Sequence, residues 1–148
     1  MLVTEAGLFK GVSQRTVNKI GSVSVDESYE RGAQIIKAGE QADYFYVLAE
    51  GTVEISAGKR ETIHFEIGRP GALIGLSALF EPFTYTTSAS AKTDVKLIRI
   101  PREAIENVVR KYPEDGILIL RHLMGFLAQR LKDVYANITS EAVLLRVP

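Results

Sequence analysis

Cysteine is missing from this chain, which removes disulfides, iron–sulfur clusters, thiolate-held metals and thiol nucleophiles together. Charge of one sign is missing as well. Eighteen Lys and Arg meet eighteen Asp and Glu, so no whole-molecule field draws in nucleic acid or an acidic membrane. No apolar run approaches the ~20 residues of a membrane span, and the start "MLVTEAGLFKGVSQR" lacks the basic-then-apolar pattern of an export signal. Histidine is scarce. His64 and His122 lie far apart and lack the short spacing of paired ligands, so no metal centre is expected and a haem would rest on one histidine. A GxSxG elbow is absent too, because "GLSAL" has leucine where the second glycine belongs. Glu40, Asp43 and Glu50 stand near turns and read as solvated loop carboxylates. The expectation is a cytoplasmic, non-enzymatic protein with no certain cofactor.

What is present has the composition of a globular protein, 46% hydrophobic and 24% charged, over 148 residues, a length that suits a single domain. Two periods divide it. From about residue 23 to 100 the segments are short, glycine-punctuated and rich in β-branched and aromatic residues: "AQIIKAG", "YFYVLAEG", "TVEISAG", "ETIHFEIG", "TYTTSASA" and "DVKLIRI". That rhythm predicts an antiparallel β-roll or jelly roll. From Pro101 the apolar period becomes helical, and Pro113 ends one helix and opens another. Along the last helix Ile117, Leu120, Met124, Leu127, Leu131, Val134 and Ile138 alternate steps of three and four, a coiled-coil seam. Ile119, Leu123 and Phe126 supply a second apolar face. One face for the roll and one for a twin helix predicts a homodimer. The expected layout is an N-terminal helical cap over about 1–22, a roll over 23–100, helices over 101–140 and a tail over 141–148.

The order of motifs resembles the cyclic-nucleotide-binding domain of the Crp/Fnr-type regulators. The matching marks are "LF" at Leu8 and Phe9, the stretch "GAQIIKAGEQADYFYVLAEGTVEI" with Gly32, Gly39, Asp43, Tyr46 and Gly51, then "RPGALIGLSALF" and "LIRIPREAIENVVRKYP". The resemblance implies a helix-capped double-stranded β-helix with a long C-terminal helix that pairs in a dimer. It also implies that Gly75, Leu76, Ser77 and Ala78 form a phosphate-cradling turn, whose free N–H groups suit an anion. In the family a glutamate follows that glycine and takes the ribose hydroxyl, and an arginine pairs with the phosphate. Leu76 and Tyr85 hold those two positions here. A charge-assisted hydrogen bond carries about 1.5 to 3 kcal/mol, so losing both weakens binding by roughly two to four powers of ten. Ordinary cyclic AMP is therefore not the expected ligand. Thr86, Thr87 and Ser88 remain as neutral partners, and by the family's layout Val134 and Tyr135 close over the ligand.

The reading is a ligand-sensing regulatory domain with a nucleotide-like or other small effector, signalling through its dimer helix. Two alternatives stand beside it: the sensor portion of a regulator whose DNA-binding domain is absent, since only ten residues follow Ile138, and a ligand-free dimerisation scaffold. The start reads as a natural N-terminus. Direct DNA binding is not expected from this chain.

Overall fold

A computed structural model describes residues 6–58 and 63–136. A 3-10 turn at Gly7–Phe9 and helix α1 (Gln14–Val23) precede eight strands: β1 (Val25–Tyr29), β2 (Gln34–Ile36), β3 (Tyr44–Glu50), β4 (Val53–Ala57), β5 (Ile63–Ile67), β6 (Leu73–Ile74), β7 (Ser88–Ala91) and β8 (Val95–Pro101). Helices α2 (Arg102–Lys111) and α3 (Pro113–Ala136) follow. The strands form two four-stranded antiparallel sheets in the orders β1-β8-β3-β6 and β2-β7-β4-β5. This is the expected roll with its helices, and one hydrophobic cluster ties both sheets to them.

Strand β3 shows why the apolar runs fold as they do. Phe45, Tyr46, Val47 and Leu48 are all buried, so a central strand covered on both faces reads as a continuous apolar run. It hydrogen-bonds β8 on one side and β6 on the other. Gly51 closes the β3–β4 turn at φ +93°, where a Cβ would meet the Asp94 carbonyl oxygen at 2.3 Å, so only glycine fits.

Two strands were not singled out by pattern. β1, with the sequence VDESY, is a mostly exposed edge strand with too few apolar residues to signal itself, and β6 has only two residues. The run "TYTTSASA" forms a strand only over its second half. Tyr85 spends its backbone on the Gly39–Glu40 turn, donating N–H to the Glu40 oxygen (3.0 Å) and accepting from Gly39 (2.8 Å), so no ladder continues there.

Pro113 separates the last two helices as expected. Gly116 then lets α3 lie against α2, since a Cβ there would sit 2.9 Å from the Val109 Cα. Asp115 ties α3 to the start of α1: its carboxylate accepts from the Ser13 N–H (3.1 Å), the Ser13 hydroxyl (2.6 Å) and the Thr16 hydroxyl (2.5 Å). Ser13 makes no side-chain cap of its own, so this carboxylate serves α1 from a hundred residues away.

Candidate functional site

The glycine-led segment behaves locally as a ligand turn would. Gly75 takes the left-handed conformation (φ 78°, ψ 34°) and is followed by one 3-10 turn, Leu76–Leu79, whose first N–H groups have no partner inside so short a turn. The space in front of it is occupied. A Cβ on Gly75 would lie 2.9 Å from Ile36 Cδ1 and 3.2 Å from Tyr85 Cε1, and Leu76, Ser77, Ala78 and Tyr85 are all buried. The Tyr85 hydroxyl donates to the Tyr44 carbonyl oxygen at 2.5 Å, which anchors the ring in place. Burial is the main reason that hydroxyl's pKa stands well above the ordinary tyrosine value. On the Cβ side of Gly75, where the sequence predicts a hollow, the Ile36 and Tyr85 side chains pack directly against the backbone.

The hydroxyl series divides by burial. Ser88 is buried and accepts from the Ala38 N–H (3.0 Å), Ser77 is buried and stands 3.4 Å from the Thr86 hydroxyl, and Thr86 itself is exposed. Val134 is half-buried and Tyr135 is 52% exposed. No hydrogen bond among the described residues joins either of them to the turn.

Two features near the turn were missed by sequence reasoning. Arg102 fastens it to α2, donating to the carbonyl oxygens of Ala42 (2.7 Å) and Ala78 (3.3 Å), pairing with Asp43 (3.2 Å) and stacking over the Phe83 ring at 4.0 Å. On the first sheet, Arg99 pairs with Glu27 (3.2 Å), lies 4.4 Å from the Tyr44 ring centroid and stands directly across from Tyr46, while Tyr29 donates to Glu27 (3.0 Å). Burial is the leading cause of the raised pKa values of Tyr29 and Tyr46. The one available signal was an arginine inside the apolar strand "VKLIRI".

A wider space lies elsewhere. A cleft of about 720 Å³ opens between the segment Phe65–Ala72 and the α3 residues Arg121 to Asp133, and none of its lining belongs to the Gly75–Ser88 segment. The two histidines are engaged separately: His64 with Glu54 (3.5 Å) and Ser56 (3.4 Å), His122 with the Lys10 carbonyl oxygen (2.8 Å). Among the described residues no three potential metal ligands cluster. No described helix is long and apolar enough to cross a membrane.

Helix α3 carries two distinct faces. Ile119 is fully buried, Leu123 is buried and Phe126 is partly buried against the core. The other apolar stripe is in the open: Ile117 is 51% exposed, Leu120 44%, Met124 62%, Leu127 43% and Leu131 51%. Ile138, the last seam position, lies outside the described residues.

Comparison with known proteins agrees with this architecture. The chain is 26% identical over 150 residues to the CRP-like cAMP-activated global transcriptional regulator of Mycobacterium tuberculosis, covering 99% of this chain and 64% of that regulator. Its fold is similar to that of a cyclic nucleotide-binding domain from Methylobacillus flagellatus (TM-score 0.81, 20% identity, 99% of this chain and 83% of that one). It is also similar to the regulatory subunit of a cAMP-independent protein kinase A from Trypanosoma brucei (TM-score 0.72, 19% identity, 91% of this chain and 46% of that one). Residues 26–112, more than half of the chain, match the family model described as the cyclic nucleotide-binding domain, and with the roll, the Gly75 turn and the long α3 in place, this chain belongs to that family.

Proposed function

We propose that residues 1–148 act as one cytoplasmic effector-sensing unit whose output is the pairing of two α3 helices in a homodimer. The observation that carries this reading is the open stripe Ile117, Leu120, Met124, Leu127 and Leu131 on a helix whose other apolar face is already buried. Five large apolar side chains in one row on a solvated helix mark an interaction face. By sequence spacing alone, Val134 and Ile138 continue the same alternation of three and four. The effector is other than cyclic AMP, since Leu76 and Tyr85 stand where the family's charged partners would be, and Tyr85 fills the turn. Binding at Gly75–Ala78 and Thr86–Ser88, with Val134 and Tyr135 as the covering pair, requires Tyr85 to swing away from Tyr44. An effector shifts the α3 arrangement only by binding its two states unequally. No DNA contact, membrane contact or catalysis is assigned to the chain.

The packing of Tyr85 against Gly75 favours a second reading, a dimerisation scaffold with no effector. One set of measurements separates the two. Native mass spectrometry of the purified protein is expected to give a dimer carrying a small copurified molecule, and thermal melts are expected to show no stabilisation by cyclic AMP. A ligand at a hundredfold excess over its Kd would add about 2.7 kcal/mol, which a melt detects easily. A monomeric mass overturns the output mechanism, and a clear shift with cyclic AMP overturns the ligand exclusion. A bare dimer that no small molecule stabilises leaves the scaffold.

A further inference from the structure

Helix α1, with the sequence QRTVNKIGSV, holds two cations and no carboxylate. Thr16, Val17 and Ile20 are buried, while Arg15, Lys19 and Val23 follow one another at steps of four along its exposed side. Lys19 and Val23 border α2, whose facing row is Ala104, Asn107, Val108 and Lys111, all on one face of that helix. Between the two rows lies a hollow of about 60 Å³ walled by Ile20, Ala104 and Val108. A small-molecule site offers about 300 Å³ or more. This hollow takes the end of one aliphatic side chain, the size of a single anchor at a protein interface.

The rim of the hollow is cationic. Lys19 and Lys111 line it and no carboxylate does. Neither lysine is in an ion pair among the described residues. The carboxylates nearby are turned elsewhere: Glu106 to Arg102 (3.4 Å), and Asp115, which feels the charge of Arg15, to Ser13 and Thr16. The ring of Tyr112, the aromatic group of this lining, is already covered by the Arg15 guanidinium at 3.8 Å. A single-stranded nucleic acid is held on open aromatic faces, and a duplex needs only a row of cations with no apolar hollow among them. Unpaired cations around an aliphatic hollow suit a protein segment that brings carboxylates and one apolar side chain together.

We infer that the groove between α1 and α2 is a docking site for an acidic segment of a partner protein, with one aliphatic side chain seated against Ile20, Ala104 and Val108 and carboxylates on either side of it meeting Lys19 and Lys111. Exposed ion pairs are individually weak, so the seated side chain sets which segment docks while the cations speed the encounter and exclude basic segments. The groove shares no residue with the open stripe of α3 or with the Gly75 turn, so this docking depends on neither subunit pairing nor effector sensing.

The test titrates the full ¹⁵N-labelled chain with a short peptide of glutamate and aspartate carrying one central leucine. Its controls are the same peptide with serine for leucine and one with lysine for every acidic residue. The acidic leucine peptide is expected to shift the amides of residues 15–23 and 104–112, the serine peptide to bind more weakly and the lysine peptide not at all. Lys19→Glu with Lys111→Glu, both on exposed side chains, is expected to weaken the acidic peptide at least tenfold and to create binding of the lysine peptide, an exchange that a merely structural role would not produce. Ala104→Leu fills the hollow and is expected to abolish the advantage of leucine over serine, whereas Lys132→Glu on α3 leaves all three peptides unaltered. Shifts confined to other surfaces, equal binding of the leucine and serine peptides, or affinity untouched by the charge reversal overturn this site. So does tighter binding of a DNA oligonucleotide or of phosphatidylserine vesicles to the same residues at the same salt, which would assign the groove to a different anion. A monomeric mass, by contrast, overturns α3 pairing and leaves the groove intact.

Discussion

Asp115 shows how far one side chain's influence reaches. Its carboxylate takes three hydrogen bonds from Ser13 and Thr16, the one from the Ser13 hydroxyl having the largest effect, and these hold its pKa below the ordinary carboxylate value against the opposing effect of burial. A depressed folded-state pKa means that the ionised form stabilises the fold. The contribution is complete above the unfolded-state pKa and disappears as pH falls through the folded-state one. Asp115→Ala is expected to cost about 2 to 3 kcal/mol in urea unfolding at neutral pH, because it strips charge-assisted bonds and takes away the carboxylate to which the buried Thr16 hydroxyl donates. Asp115→Asn is expected to cost less and to flatten the loss of stability expected of the native chain below about pH 4. Equal acid sensitivity of the native and Asn forms would assign that loss to other carboxylates.

Among the elements, α3 has the most to explain. It buries Ile119 and Leu123 against the core, leaves the Ile117–Leu131 stripe open, and presents its cleft side through Gly125 and Arg130. Each leucine transferred from water is worth about 2 kcal/mol and counts twice in a symmetric pair. Leu127→Glu with Leu131→Glu is therefore expected to raise the dissociation constant of the proposed α3-paired dimer by at least about three powers of ten in sedimentation equilibrium. The core face is untouched by these changes, so far-ultraviolet circular dichroism is expected to stay native. A dimer that persists in the double variant places the subunit contact on another surface.

For the whole molecule, fold and ligand choice are separable. Residues 26–112 match the cyclic nucleotide-binding family, while the crowding at the turn comes from the Ile36 and Tyr85 side chains packed against Gly75. Replacing Leu76 by Glu and Tyr85 by Arg together supplies the charged pair that the family resemblance implies at those positions. Calorimetric titration is expected to show cyclic AMP affinity rising by roughly two to four powers of ten over the native chain. Stability is expected to fall by about 1 to 3 kcal/mol, through loss of the Tyr85–Tyr44 hydrogen bond and the burial of a carboxylate at position 76. Unchanged affinity in a folded double variant would place the obstacle in the backbone of the turn.

Strand rhythm, helix period and the punctuation by Pro113 determined the roll, the order of its elements and the two-faced α3, because each is a local pattern of side chains repeated at a fixed step. The assignment of Leu76 and Tyr85 to the family's two charged positions rests on the resemblance alone. Only the tertiary structure decided that Tyr85 turns onto Gly75 and Tyr44, that Arg102 clasps the turn from α2, and that Arg99 meets Glu27 across two strands. It likewise opened the cleft at Gly125, far from the turn in sequence. These contacts join residues tens of positions apart, and which of them form depends on how elements pack, a matter of shape and filled volume that no local period encodes.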